Sequence, residues 1–270
     1  MMPTANLAES KKSNLFIVLS GIFLTNALIA ELIGVKIFSL EDTLGVSRAQ
    51  IPLLKDFILD FNLSAGVVLW PVVFITTDII NEYYGKKGVR KISFLTVGFI
   101  AYAFVVISIA TILSPADFWL DVNNQNAQGN SFNINFAFNK VYSQGLGIII
   151  GSLCAFLLGQ LLDVFVFQKL RRITGNNKIW LRATGSTLVS QLIDSYVVLF
   201  IAFYLLAPDN ARWSIPQVIS VGIVNYSYKF IIAIVLTPLL YVAHYVIDRY
   251  LGPELSETMM REASQDTALL

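Results

Sequence analysis

Six long apolar runs dominate the chain: residues 14–38, 65–84, 89–113, 146–170, 183–206 and 215–247. Each reaches or exceeds the ~20 residues that a helix needs to cross a hydrocarbon layer. Polar or basic stretches separate them, among them a long Asn- and Gln-rich loop with the run NNQNAQGNSFNIN beginning at Asn123, so the pattern predicts an all-α integral membrane protein built as a six-transmembrane-helix bundle. Residues 1–13 are polar and predicted disordered, residues 14–250 form the membrane domain, and residues 251–270 form a polar tail. Within 39–64, Leu53, Phe57, Ile58 and Phe61 recur at helical spacing, which predicts an amphipathic helix along the outer interface. The last run is long enough to project beyond the bilayer, and Pro238 marks a kink in it. Lys11 and Lys12 precede the first run, but that run continues past residue 30, so an uncleaved first span is expected rather than a signal peptide.

Composition agrees with the pattern. Hydrophobic residues make up 56% of the 270 and charged residues only 14%, against about 25% charged in soluble domains. The location of charge says more than the net value of +1. With the N-terminus inside, thirteen of the nineteen Lys and Arg fall on cytoplasmic segments. They cluster at 86–91 and 169–182. Four, Arg48, Lys55, Lys140 and Arg212, fall outside, and Lys36 and Lys229 remain in the spans. That bias predicts both termini in the cytoplasm. A single cysteine, Cys154, excludes an intrachain disulfide, and a single histidine, His244, excludes His-rich and Cys-rich metal sites. No cofactor or metal is expected. Neither GxxxxGK[ST] nor GxGxxG occurs, so the chain does not hydrolyse ATP by itself. No nucleic-acid partner is expected; the lipid bilayer is.

The candidate chemistry lies inside the spans. Residues 159–163 read GQLLD and residues 190–194 read SQLID, on either side of the basic segment 169–182. The two form a helical hairpin with a Gln and an Asp on each arm. A carboxylate at a helix centre costs about 2.5–3.5 kcal/mol on insertion scales, so Asp163 and Asp194 point to a polar cavity within the bundle. At 1.5 Å per residue, Asp194 lies roughly 16 Å from its helix start and Asp163 roughly 10 Å from its cytoplasmic end. Gly147, Gly151, Ala155 and Gly159 precede Asp163 at four-residue spacing, a small-residue seam for close helix packing. Gln160 and Gln191 sit one turn before the two acids. The second span adds Asp78, Asn81 and Glu82, and the sixth adds Asn225, Tyr228 and Lys229. Lys229, about 20 Å from the outer end, needs a carboxylate or a bound anion. Each Asp can equally be a structural partner within the bundle, with Lys229 as the obvious cation.

Other positions have plainer readings. Glu82 and Lys86, four apart, suit a surface ion pair. Lys36 can reach the outer interface, Trp180 reads as an interfacial anchor, and His244 is expected at the inner interface. Glu31 stays open between both roles. Trp70, followed by Pro71, is either a helix break or a stacking face.

WPVVFITTDIINEYYG at 70–85, GQLLDVFVFQKLRR at 159–172, WLRATGSTLVSQLIDSYVVLFIAF at 180–203 and NYSYK at 225–229 resemble the bacterial queuosine-precursor transporters, also described as vitamin-uptake transporters. The resemblance covers nearly the whole membrane portion, in order. It implies import of a 7-deazaguanine: 7-cyano-7-deazaguanine, its 7-aminomethyl relative or queuine. It also implies a fold similar to the substrate-binding components of energy-coupling-factor importers. By motif match its polar positions fall on Asp78, Gln160, Asp163, Asp194 and Lys229; Gln191 and Asn225 differ from some relatives. The chemistry agrees, since a carboxylate can accept the adjacent N–H and NH2 of a guanine-like edge while an amide complements the carbonyl and an aromatic ring stacks. Two other readings stay open: a binding component that needs an energising partner, and an intramembrane aspartyl protease using Asp163 and Asp194; assembly as a homo-oligomer is open in either case. The latter lacks YD and GxGD motifs, because Leu162 and Ile193 precede the two acids.

Overall fold

A computed structural model describes residues 4–53, 57–143, 146–174, 178–207 and 209–265. Helix α1 (Thr4–Ile33) buries Leu15, Leu19, Phe23, Ala27 and Ala30 at three- and four-residue spacing along one face. Residues 4–13, expected to be disordered, belong to this helix. Lys11 Nζ donates to the Tyr250 carbonyl at 2.8 Å, and the Tyr84 hydroxyl donates to the Lys12 carbonyl at 2.7 Å. The polar start is thus tied to elements far away in sequence, which a local reading of polarity does not register.

The connection that follows α1 is largely β rather than helical. Strand β1 (Ile37–Ser39) leads to a short helix α2 (Leu40–Leu44), whose N–H of Asp42 is capped by Ser39 Oγ. Strands β2 (Ile51–Leu53) and β3 (Phe57–Leu59) pair antiparallel, and β4 (Asn62–Ser64) returns to pair with β1. The amphipathic helix expected here does not form. The Phe61 N–H, which a helix would direct at the Phe57 carbonyl, goes instead to the carboxylate of buried Glu41 at 2.8 Å. Pro52, in β2, has no N–H to give a helix. Lys55 lies outside the described residues.

A 3-10 turn (Ala65–Val68) enters helix α3 (Trp70–Ile112), with Pro71 in its first turn, where a missing N–H costs nothing. This 43-residue element turns sharply at Gly85 (φ 63°, ψ −166°) into arms 70–84 and 86–112. A backbone in that region excludes side chains, and a methyl group there would also sit 3.1 Å from the Ala263 carbonyl. Both arms reach Phe16 of α1: its ring lies 4.9 Å from that of Tyr84, and Lys91 Nζ stands 5.7 Å above it. Two short helices, α4 (Asp117–Val122) and α5 (Ile134–Tyr142), follow on the Asn-rich connection.

Helices α6 (Leu146–Thr174) and α7 (Ile179–Leu199) form the most extensive helix pair. They run antiparallel with Gly151 against Ala202, Gly159 against Asp194 and Gly185 against Leu170. The glycine seam therefore performs the close packing expected of it. Beyond α7 the chain widens into a π-helical stretch (Phe200–Leu205). The last long run is two helices rather than one. Helix α8 (Ile215–Val235) ends at Leu236, and α9 (Thr237–Leu251) starts anew with Pro238 in its first turn. Helix α10 (Pro253–Gln265) folds back onto α3.

Among the described residues, five segments are long and apolar enough to cross a membrane: 6–33, 70–112, 148–174, 179–205 and 215–235. The molecule is a multi-pass, mainly helical membrane protein.

Candidate functional site

Polar side chains run as a column through the middle of this bundle. At one end Ser152 on α6 donates to Glu31 on α1 at 2.6 Å. Next, Lys229 on α8 forms an ion pair with Asp194 on α7, and the Asp194 side chain packs on the bare backbone of Gly159. The cation that the sequence demanded a partner for has one. One level further, Thr77 donates to Gln160 at 3.3 Å, and Ser190 donates to Asp163 at 3.2 Å. Ser186 and Thr187 also face Asp163. Asp78 lies on the neighbouring arm, close enough to Asp163 for the two carboxyls to interact.

Of the residues singled out from the sequence, Asp78, Gln160, Asp163 and Gln191 are all buried at this level. One oxygen each of Asp78, Asp163 and Gln191 has no hydrogen-bond partner among the described residues. Buried polar atoms usually have a partner, and these three are acceptors gathered on α3, α6 and α7. A small pocket, partly open to the surroundings, reaches Asp78. Phe74, Leu236 and Leu240 supply apolar walls, and Thr184, Thr187 and Thr237 supply hydroxyls. The Thr184 and Thr237 hydroxyls are 3.0 Å apart. Such a site, apolar with a few convergent polar groups, is the usual form of a small-molecule pocket.

The other candidates separate from it. Asn225 and Tyr228 are half-buried on α8 near Lys229, and neither bonds another candidate residue. Glu31 belongs to the outer level. Trp70 does not break α3; its ring stacks on Phe74 at 5.9 Å and reaches Phe156 at the same distance, so it is packed within the bundle. Asn81 is fully buried but accepts from Gln168 Nε2 at 2.7 Å, a helix-to-helix tie below the pocket.

Glu82 requires a correction. It is not on the surface with Lys86 but fully buried, gripped by Arg182 through Nη2 at 2.6 Å and Nε at 3.1 Å. Arg171 Nη2 stands 3.3 Å from the same carboxylate. Two of the arginines that the sequence places on a solvated cytoplasmic segment are therefore internal. Their forked guanidinium geometry suits a bidentate carboxylate pair. His244 is likewise buried, with Nδ1 3.0 Å from the Tyr83 hydroxyl, which donates to Asp248 at 2.7 Å. The signal for this cluster was present in Glu82 standing one turn after Asp78. Its partners lie about 90 and 100 residues away, which no spacing rule connects.

These observations define a polytopic membrane protein with a layer of buried acceptor oxygens beside a small pocket. The sequence profile of the family described as "putative vitamin uptake transporter" matches residues 64–243. A "Probable queuosine precursor transporter" of Bacillus subtilis is 30% identical over 190 residues, 69% of this chain and 75% of that one. Its namesake in Haemophilus influenzae is 30% identical over 180 residues, 65% of this chain and 66% of the other. The "Queuosine precursor transporter" of Escherichia coli is 29% identical over 178 residues, 66% and 71% of the two chains. No solved structure matches. The chain belongs to this family, and the relatives it matches are named as transporters and not as enzymes.

Proposed function

We propose that this protein imports queuosine precursors across the bacterial inner membrane: 7-cyano-7-deazaguanine, 7-aminomethyl-7-deazaguanine or queuine. The relatives' names supply the class of solute. The observation that carries the reading here is the pocket at Asp78, where an unpartnered carboxylate oxygen meets apolar walls and threonine hydroxyls. A guanine-like ring offers two adjacent donors to such a carboxylate and a flat face to Phe74. Asp78, Gln160, Asp163 and Gln191 form the recognition layer in this reading. Asp194 and Lys229, with Asn225 beside them, form a second layer toward the outside. The chain crosses the membrane six times, the two arms of α3 each making one crossing, with both termini in the cytoplasm.

The pairing of Asp194 with Lys229 disfavours an aspartyl protease, which needs two carboxylates acting together. A binding component that depends on an energising partner remains the second reading, favoured by the resemblance to energy-coupling-factor components. Uptake by the purified protein in liposomes separates the two. For the site, cells unable to make the precursor should lose uptake with Asp78→Asn or Asp163→Asn while protein levels stay unchanged. Wild-type uptake in both variants would remove the pocket from consideration.

A further inference from the structure

Beneath the pocket the bundle is closed by two buried polar layers. Arg182, adjacent in sequence to the pocket residues Ala183 and Thr184, grips Glu82 together with Arg171. Tyr83, His244 and Asp248 form the second layer beside it. Neither layer is complete without α10. Arg171 Nη2 donates to the Met260 carbonyl at 2.7 Å, and Ser256 Oγ donates to Asp248 at 2.5 Å. Ser256, Met259 and Ala263 are buried at three- and four-residue spacing, one stripe of an otherwise polar helix. Ala263 rests on the Gly85 turn, which only glycine allows. At the far side Glu262 stands 3.7 Å from Lys12 of α1. The profile match ends at residue 243, so it assigns α10 no role.

We propose that α10 is the cytoplasmic latch of the transport path: docked, it clamps the Glu82–Arg171–Arg182 floor shut, and it must undock for solute to leave inward. The inference rests on the importer reading. The physical reason is the way the floor is held. A buried guanidinium with a carbonyl of α10 as one of its acceptors cannot reorient while that carbonyl stays in place. Releasing one short helix, attached through the single residue Gly252, frees Arg171 and Asp248 together.

The test uses a full-length variant with Lys12→Cys and Glu262→Cys in a Cys154→Ser background, joined by a short thiol-specific cross-linker containing a reducible disulfide. Both positions are partly exposed, so folding is preserved. Proteoliposome uptake and binding of 7-cyano-7-deazaguanine are measured before cross-linking, after it, and after reduction. Cross-linking is expected to lower uptake at least tenfold, leave binding within twofold, and be reversed by reduction. Unchanged uptake in the cross-linked protein would overturn the latch. A second variant ending at Leu251 is expected to release bound precursor faster than the full chain; an unchanged dissociation rate also counts against the latch. If the uncross-linked and wild-type proteins both bind but carry nothing, the importer reading fails, and the latch falls with it.

Discussion

Glu82 and Arg182 sit in each other's grip between α3 and α7, two charged side chains buried away from solvent. The pair is bidentate, and Arg171 adds a second cation to the same carboxylate. Removing one partner of a buried pair strands the others, at a cost of about 3–5 kcal/mol. Glu82→Gln should therefore lower thermal stability in detergent sharply. Lys86→Gln, which removes the partner suggested by sequence spacing, should leave it unchanged. Equal melting temperatures for the two variants would contradict the burial of Glu82.

The Asp194–Lys229 pair separates structural from ligand-binding roles. Asp194→Asn alone leaves an ammonium in the bundle, and Lys229→Met alone leaves a carboxylate. Each should reduce the amount of folded protein severalfold. The double variant removes both charges, and its folded yield should recover toward wild type, as expected for groups that compensate each other. Size-exclusion recovery after membrane extraction gives the measure. If the double variant is as poor as the worse single one, the pair is not the reason these charges are tolerated.

In the β connection after α1, the Glu41 carboxylate accepts the Phe61 N–H, and also the Ala49 N–H at 3.5 Å and the Ser39 hydroxyl at 3.3 Å. The Phe61 bond, foremost among these, holds its carboxyl below the ordinary value of 4.5. A group depressed on folding contributes its stabilisation above the unfolded value and loses it as the pH falls through the folded one. Hydrogen exchange at Phe61 should thus be slow at neutral pH and accelerate below the ordinary carboxylate range, beyond the intrinsic trend. Glu41→Gln should exchange faster at neutral pH and show no such step. A step of equal size in both would assign the effect to another group.

The spans themselves were legible because hydrocarbon imposes one requirement on every residue of a crossing. Asp78, Gln160 and Asp163 were legible for the complementary reason, as polar groups where none is cheap. What the sequence misjudged depends on distant partners. Glu82 looked superficial because Lys86 is near in sequence, whereas Arg171 and Arg182 are near in space. Residues 4–13 looked unstructured because Tyr84 and Tyr250, which hold them, come much later. The segment around Phe57 and Phe61 looked helical because its spacing is indifferent to Glu41, whose carboxylate decides where the Phe61 N–H points. Trp70 could not be assigned because its tilted contact with Phe156 depends on how α3 and α6 cross.

The Gly85 turn also has a practical side. Because helix resumes within a residue of it and Ala263 fills the space beyond, no slack exists there for an inserted tag or reporter. The Asn-rich stretch around Gly129, held only by its own short turns, is the opposite case. Anyone mapping sidedness with fused reporters should place the probe near Gly129. At Gly85 it would report on a broken protein.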